Sequence, residues 1–190
     1  WPQWQSGLLR QNAHDALVAY QKALKLILGH DPQPTPLSYQ RMRVNQAHNT
    51  LFNSFNQAMQ EPGFNNHYLA DMRLWVTHSQ FIVDHINAMT GLIREKGELS
   101  AEQKQYYFKL CDKALQGCQQ RLDYDGNEDS EGSEEKNSLG NTQISEAPRT
   151  ATELHLQRIL GHLSTMHSIS SVAWKERPHG WIGRHLQNSH

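Results

Sequence analysis

Apolar residues recur at steps of three and four along most of the chain, which is the spacing of one face of an α-helix. The first such run covers residues 7–28, and the second covers residues 36–61. Three more runs of the same kind follow over residues 66–96, 100–122 and 150–172. No convincing stretch shows the two-residue alternation of a half-buried strand. The pattern therefore predicts an all-α fold with about five helices.

Residues that start or stop helices lie at the ends of these runs. Gly29 follows the first run, where a glycine commonly ends a helix. Ser100 with Gln103, and Thr150 with Glu153, have the spacing of a capping box, in which paired side chains bond the free N–H groups of a first turn. Most loops between the runs are short, so neighbouring helices can run antiparallel. We expect an up-and-down helical bundle.

The connection between the fourth and fifth runs differs from the rest in composition. Residues 123–135 hold seven acidic side chains and no basic one, whereas 12 acidic and 18 basic residues make up the remainder of the charge. Such a segment buries too little apolar surface to offset the conformational entropy that it would lose on ordering. Its composition therefore predicts a disordered linker. The alternative is a regulatory strap that docks on the basic body. One domain over residues 1–190 would then comprise a stub (1–6), four helices (7–122), this linker (123–149), a fifth helix (150–172) and a basic aromatic tail (173–190).

Charge and hydropathy exclude several classes of partner. The net charge is −1 and the isoelectric point is about 6.9, so no overall field attracts nucleic acid. The sequence also lacks a basic stripe with interleaved aromatic residues, the pattern typical of nucleic-acid recognition. Mean hydropathy is −0.75, and the longest unbroken apolar stretch, residues 16–20, is far shorter than the ~20 residues of a spanning helix. We predict no nucleic-acid partner and no membrane span within the chain.

The two cysteines lie on the fourth predicted helix. Cys111 and Cys118 are seven residues apart, which places them on one face but roughly 10 Å from each other, too far for a disulfide. We expect both to be buried, reduced thiols that pack as small apolar side chains. This use of cysteine fits a reducing compartment.

Motifs for covalent catalysis and phosphate binding are missing from the sequence. It contains no Gly-x-Ser-x-Gly and no glycine-rich phosphate loop. The helical periodicity places no cysteine beside a histidine. We therefore predict a non-enzymatic protein with no catalytic residue and no cofactor.

Twelve histidines raise the question of a metal site. His78 and His85 share a face of the third helix, with Asp71 seven residues further back, and His155 and His162 share a side of the fifth. Recognised helical metal motifs place ligands three or four residues apart, whereas seven residues leave them ~10 Å apart. The sequence therefore predicts no metal site, and these five residues are the candidates if one exists.

Both ends of the chain combine tryptophan with polar or basic residues. Trp1 and Trp4 open the chain, and Trp174 and Trp181 lie in its tail. Tryptophan favours the boundary between membrane and water, so these four residues predict membrane proximity at the termini. Ordinary packing over the ends of the bundle is the alternative. A start at Trp1 fits either a mature N-terminus after signal cleavage or a piece of a longer protein.

The order of the segments resembles the region after the last membrane span in the fusaric-acid-resistance-like, or aromatic acid exporter, superfamily of bacterial inner-membrane proteins. The resemblance covers residues 1 to about 172: an amphipathic helix LLRQNAHDALVAYQKALKLIL, a proline-containing loop, a polar helix RMRVNQAHNTLFNSFNQAMQEP and a long apolar helix HYLADMRLWVTHSQFIVDHINAM. It implies a cytoplasmic domain at the inner membrane, within an efflux or transport protein whose transmembrane helices are its partner. Its role would be assembly, gating or partner docking. No substrate or catalytic residue carries over.

Two other functions compete with this interpretation. One is a stand-alone helical metal-binding or sensing bundle that uses the histidine-rich third and fifth helices. The other is a small-molecule pocket lined by Trp75, Phe81, Tyr106 and Tyr107, although aromatic residues at helical spacing more often belong to a core. For the first interpretation we expect a homo-oligomer, by default a dimer that pairs through the second and third helices.

Overall fold

The structure, a computed structural model, describes residues 5–29, 36–61, 69–92, 99–123 and 147–169. These residues form five helices and no strand, which confirms the predicted all-α bundle. The helices are α1 (Gln5–Ile27), α2 (Leu37–Ala58), α3 (Leu69–Leu92), α4 (Ala101–Asp123) and α5 (Ala151–Ser168). No helix among them has the length and apolar character needed to cross a bilayer.

Several predictions concern residues outside these ranges. They include most of the acidic linker, the basic aromatic tail and the four membrane-proximal tryptophans, Trp1, Trp4, Trp174 and Trp181. Within the ranges, the fifth helix is shorter than the predicted 150–172. It ends at Ser168 because the backbone of Ile169 is already extended, with φ −71° and ψ 138°.

The helix ends use the residues that the sequence indicates. Gly29 has φ +74°, the left-handed conformation that glycine adopts without strain. At the start of α4, the N–H of Gln103 donates to Ser100 Oγ at 3.1 Å, and the N–H of Ser100 donates to Gln103 Oε1 at 2.8 Å. At the start of α5, the N–H of Glu153 donates to Thr150 Oγ1 at 3.1 Å. The predicted capping box of α4 is therefore complete, whereas at α5 the Thr150 cap is present and the Glu153 carboxylate accepts from the N–H of Arg149 instead of that of Thr150.

The first four helices alternate in direction. Contacts between α1 and α2 join early residues of one to late residues of the other, as Asn12 Nδ2 donates to Ser54 Oγ at 2.6 Å and Tyr20 lies beside His48. Contacts between α2 and α3, and between α1 and α4, follow the same antiparallel order. This is the arrangement expected where short loops connect successive helices.

The last helix, α5, runs parallel to α4 and antiparallel to α3. Gln103 Nε2 donates to Glu153 Oε1 at 2.7 Å where both helices begin, and Cys118 Sγ donates to the carbonyl of Leu163 at 3.3 Å further along. The end of α4 and the start of α5 consequently lie at opposite ends of the bundle. Packed in this way, α5 covers α3 and α4 together.

The core forms where α1 and α3 meet the other helices, since each of these two contacts three neighbours. Each helix places a stripe of apolar side chains in this core. Among the fully buried ones are Leu17, Leu51, Ile82, Leu115 and Leu156. Burying a side chain of this size stabilises the fold by roughly 1.5–3 kcal/mol, so the packed stripes are the main source of stability.

Candidate functional site

Two pairs of histidines join α3 to α5. Nδ1 of His78 lies 2.8 Å from Nδ1 of His162, and Nδ1 of His85 lies 3.0 Å from Nδ1 of His155. The helices are antiparallel. From the first pair to the second, the chain advances seven residues on α3 and goes back seven on α5, so the same contact recurs after two helical turns. Asp71 lies two turns before His78 on α3. Four of the five candidate metal ligands are thus brought together in pairs, and the described ranges contain no group of three or more His, Cys, Asp or Glu side chains placed to hold one ion.

The four imidazoles also contact one another between the pairs. The rings of His162 and His85 stack with their centroids 5.5 Å apart and their planes at 19°. Within the pairs, the centroids of His78 and His162 are 5.0 Å apart and those of His85 and His155 are 5.2 Å apart. Phe81 also stacks on His162, with the ring centroids 5.1 Å apart. We refer to His78, His162, His85 and His155, in this order of contact, as the histidine ladder.

The surroundings of three histidines of the ladder, His78, His85 and His162, favour neutral rings. Partial burial lowers the pKa of His78, His85 and His162, to about 4 for His162. The positive charge of Arg158 lowers the pKa of His85 and His162 further, whereas the carboxylate of Asp84 opposes the shift at His85. All four rings are half-buried, so protons and small ions reach them from solvent. In each neutral pair, one Nδ1 donates a hydrogen and the other accepts it.

The sequence did not indicate a second polar cluster, which lies in the bundle interior. The hydroxyl of Tyr20 on α1 lies 2.6 Å from Ser79 Oγ on α3, and Ser79 Oγ lies 3.1 Å from His48 Nδ1 on α2. Burial raises the pKa of Tyr20 and lowers that of His48, so both stay neutral. Tyr20 and Ser79 are 0% exposed and His48 is 3% exposed, so no substrate reaches them. This cluster orders three helices; the signal that could have revealed it is a serine on the apolar stripe of α3.

The two cysteines behave as the sequence predicts. Cys111 and Cys118 are both free and buried. Burial raises the pKa of each thiol to about 12, and the carboxylate of Asp112 adds to the shift at Cys111. A thiol in this state is a weak nucleophile and a poor metal ligand. Neither cysteine takes part in the histidine ladder.

The aromatic residues proposed as a pocket are divided between two places. Trp75 is buried in α3, whereas Phe81 on the same helix is exposed beside the histidine ladder. Tyr107 is buried in α4 and packs edge-on against the exposed Tyr106, with ring centroids 5.4 Å apart. The described contacts therefore do not join these four side chains into one lining.

The chain is similar to a larger bacterial protein. It is 61% identical over 199 aligned positions to "Uncharacterized protein YhfK" of Escherichia coli strain K12. The alignment covers 100% of this chain but 27% of the E. coli protein, so the chain spans about a quarter of that relative's length. No protein-family model matches the chain, and no solved structure matches it.

Proposed function

We propose that the chain is a non-enzymatic helical domain of a larger bacterial inner-membrane transport protein, in which it serves assembly, gating or partner docking at the cytoplasmic face. The observation that carries the first part of this proposal, a domain of a larger bacterial protein, is the match to the E. coli protein. The chain matches along its whole length, yet it fills only about a quarter of that relative. The order of helices, which resembles the region after the last span of aromatic acid exporters, supports the transport part of the proposal.

The surface of the bundle supports a role in assembly. Large apolar side chains remain exposed on α2 and α3, the two helices expected to pair subunits. They are Tyr39, Met42 and Phe52 on α2, and Leu74 and Phe81 on α3. Where such side chains lie together they commonly mark a surface that a partner covers, and a homodimer is the simplest arrangement.

The test uses the complete reading frame that encodes the chain. The protein is expressed with an epitope inserted between residues 123 and 147, and inverted and right-side-out membrane vesicles are treated with protease. We expect the protein in the inner-membrane fraction and cleavage of the epitope in inverted vesicles alone. Recovery in the fraction without membranes, or cleavage in right-side-out vesicles, would contradict the proposal. An in-frame deletion of residues 5–169 that leaves compound export unchanged would contradict the transport role alone.

A second candidate is a helical metal-binding or sensing bundle. The histidine ladder favours it, because two antiparallel helices bring four imidazoles into contact on a surface that solvent reaches. Neutral imidazole is the commonest metal ligand in proteins. The two candidates are compatible, since a regulatory domain of a transport protein can also bind an ion.

A further inference from the structure

We propose that the histidine ladder binds a transition-metal ion such as Zn²⁺ or Cu²⁺, held between one imidazole of α3 and one of α5. The inference names the site of the second candidate function, and it does not depend on membrane transport. Imidazole nitrogen suits both ions. Each histidine pair supplies two ligands, and water completes the coordination.

The distances within the pairs are close to those that an ion requires. Two nitrogens bound to a tetrahedral zinc at ~2.0–2.1 Å lie about 3.3 Å apart. The Nδ1 atoms are 2.8 Å apart in the pair of His78 and His162, and 3.0 Å apart in the pair of His85 and His155. Small rotations of the half-buried rings open either pair by the missing few tenths of an ångström. The helices themselves need not move.

The protonation state of the rings also suits an ion. Metal-bound histidine is neutral, and the two Nδ1 atoms of each pair are so close that only one of them carries a hydrogen, which leaves the lone pair of the other available. An ion that bonds both Nδ1 atoms of a pair displaces the hydrogen that they share. This hydrogen returns through solvent to Nε2 of the same ring, so binding to a neutral pair releases no net proton.

The charges around the histidine ladder distinguish the two pairs. The carboxylate of Asp84 favours positive charge at His85, whereas Arg158 disfavours it at both His85 and His162. The pair of His85 and His155 is therefore the preferred position for the first ion. Because the rings of His85 and His162 are in contact, a second ion in the other pair meets the charge of the first and binds more weakly.

The experiment titrates the untagged 190-residue chain with ZnCl₂ and, separately, with CuSO₄ by calorimetry at pH 7.5 after treatment with EDTA. The quadruple variant His78→Ala/His85→Ala/His155→Ala/His162→Ala removes both pairs, since a variant that lost one pair would keep the other. The matched control, His14→Ala/His167→Ala, removes two histidines outside the histidine ladder. We expect the original chain and the control to bind an ion, and the quadruple variant to lose more than the ~10–100-fold in affinity that an outer-shell change causes. Equal binding by the quadruple variant and the control would overturn the proposal.

Two further measurements keep the result interpretable if a variant folds poorly. The Gln variant, His78→Gln/His85→Gln/His155→Gln/His162→Gln, keeps polar side chains at all four positions, and its circular dichroism spectrum is compared with that of the original chain. The Cu²⁺ complex of the original chain should show nitrogen hyperfine splitting in its paramagnetic resonance spectrum, and this splitting should weaken in the Gln variant. No binding of either ion to the original chain at 100-fold excess, or a spectrum that the Gln variant leaves unchanged, would each refute the site.

Discussion

Three polar side chains from three helices meet inside the bundle, where each needs a partner. Ser79 on α3 is the centre of this cluster, because its hydroxyl lies within hydrogen-bonding distance of both Tyr20 and His48. The Tyr20 hydroxyl lies 3.5 Å from His48 Nδ1, a distance at which a hydrogen bond between them is weak. The cluster therefore depends on one serine hydroxyl.

Replacing that serine tests this dependence. We expect Ser79→Ala to lower the free energy of unfolding by about 1–3 kcal/mol, because the buried Tyr20 hydroxyl is left with the long contact to His48. Thr77→Ala is the control on the same helix, since the exposed Thr77 hydroxyl bonds the carbonyl of Arg73 within its own turn. Urea denaturation measures both variants. Equal effects of the two substitutions would contradict the central role of Ser79.

Two glycines should respond in opposite directions to the same substitution. Gly29 has φ +74°, so Gly29→Ala should destabilise the protein by about 1 kcal/mol through backbone strain. Gly161 lies inside α5 with open space where a methyl group would go, so Gly161→Ala should stabilise the protein by about 0.5–1 kcal/mol. Thermal unfolding gives the sign directly. A stabilising Gly29→Ala would mean that α1 does not end in a left-handed residue in solution.

At the scale of helices, the starts of α4 and α5 are tied together by one carboxylate. Glu153 accepts hydrogen bonds from Gln103 Nε2 at 2.7 Å and from the N–H of Arg149 at 2.6 Å. Its own N–H is capped by Thr150. The capping groups of two parallel helices thus form a single hydrogen-bonded unit.

Removal of this carboxylate should affect both helices. We expect Glu153→Ala to cost about 1–3 kcal/mol, since hydrogen bonds to a charged and largely buried acceptor are lost. Glu102→Ala, at an exposed position in the first turn of α4, should cost about 0.3–1 kcal/mol through the helix dipole alone. Hydrogen exchange should show faster opening at the starts of both α4 and α5 in Glu153→Ala. Faster exchange in α5 alone would mean that the link to α4 is not stabilising.

The packing of α3 against α5 should depend on pH. The folded state lowers the pKa of His78, His85, His162 and the interior His48 below 6.5, so above that pH both states carry neutral rings and stability is complete. As the pH falls toward 4, the unfolded chain binds protons that the folded chain does not, and stability decreases. Denaturation at pH 7, 6 and 5 in the presence of EDTA measures this slope.

A substitution assigns the slope to the histidine ladder. His162→Gln should reduce the stability lost between about pH 6.5 and pH 4. The reason is that folding lowers the pKa of His162 to about 4, so this ring resists protonation in the folded chain. His14→Gln on α1, outside the histidine ladder, is the matched substitution with which the slope of His162→Gln is compared. A steeper slope in His162→Gln would mean that folding favours the charged form of this ring instead of the neutral one.

At the scale of the whole molecule, local sequence signals predicted the parts better than their arrangement. Helical periodicity located the five helices of the described ranges, and Gly29 and the two capping pairs marked three of their ends, because these signals act within a few residues. The pairing of His78 with His162 could not be read in the same way, since it depends on the direction of α5. That direction follows from packing against α3 and α4, not from a short loop. A seven-residue spacing that is too wide for two ligands on one helix is the correct spacing for two pairs on facing helices.

The predicted pairing of subunits belongs to this scale as well. We expect the chain to form dimers through α2 and α3, and Met42→Glu/Leu74→Glu to weaken them by placing charge on exposed apolar positions. Tyr106→Glu on α4 adds charge to an equally exposed aromatic residue away from that surface. Sedimentation equilibrium at several concentrations measures the association. A chain that stays monomeric at high concentration, or a Tyr106→Glu variant that dissociates as readily, would contradict this interface.

The direction of α5 makes it comparable to a tethered ligand. Since α4 and α5 start side by side, the end of α4 lies roughly 35 Å from the start of α5, the length of a 23-residue helix. The register of α5 is set by its contacts with α3 and α4. The number of residues in the segment between the two helices sets the local concentration of α5 at this binding surface, so a change in that number should change how much of the time α5 is bound. Cleavage of that segment would turn a folding equilibrium into a bimolecular one, in which α5 competes with any other amphipathic helix.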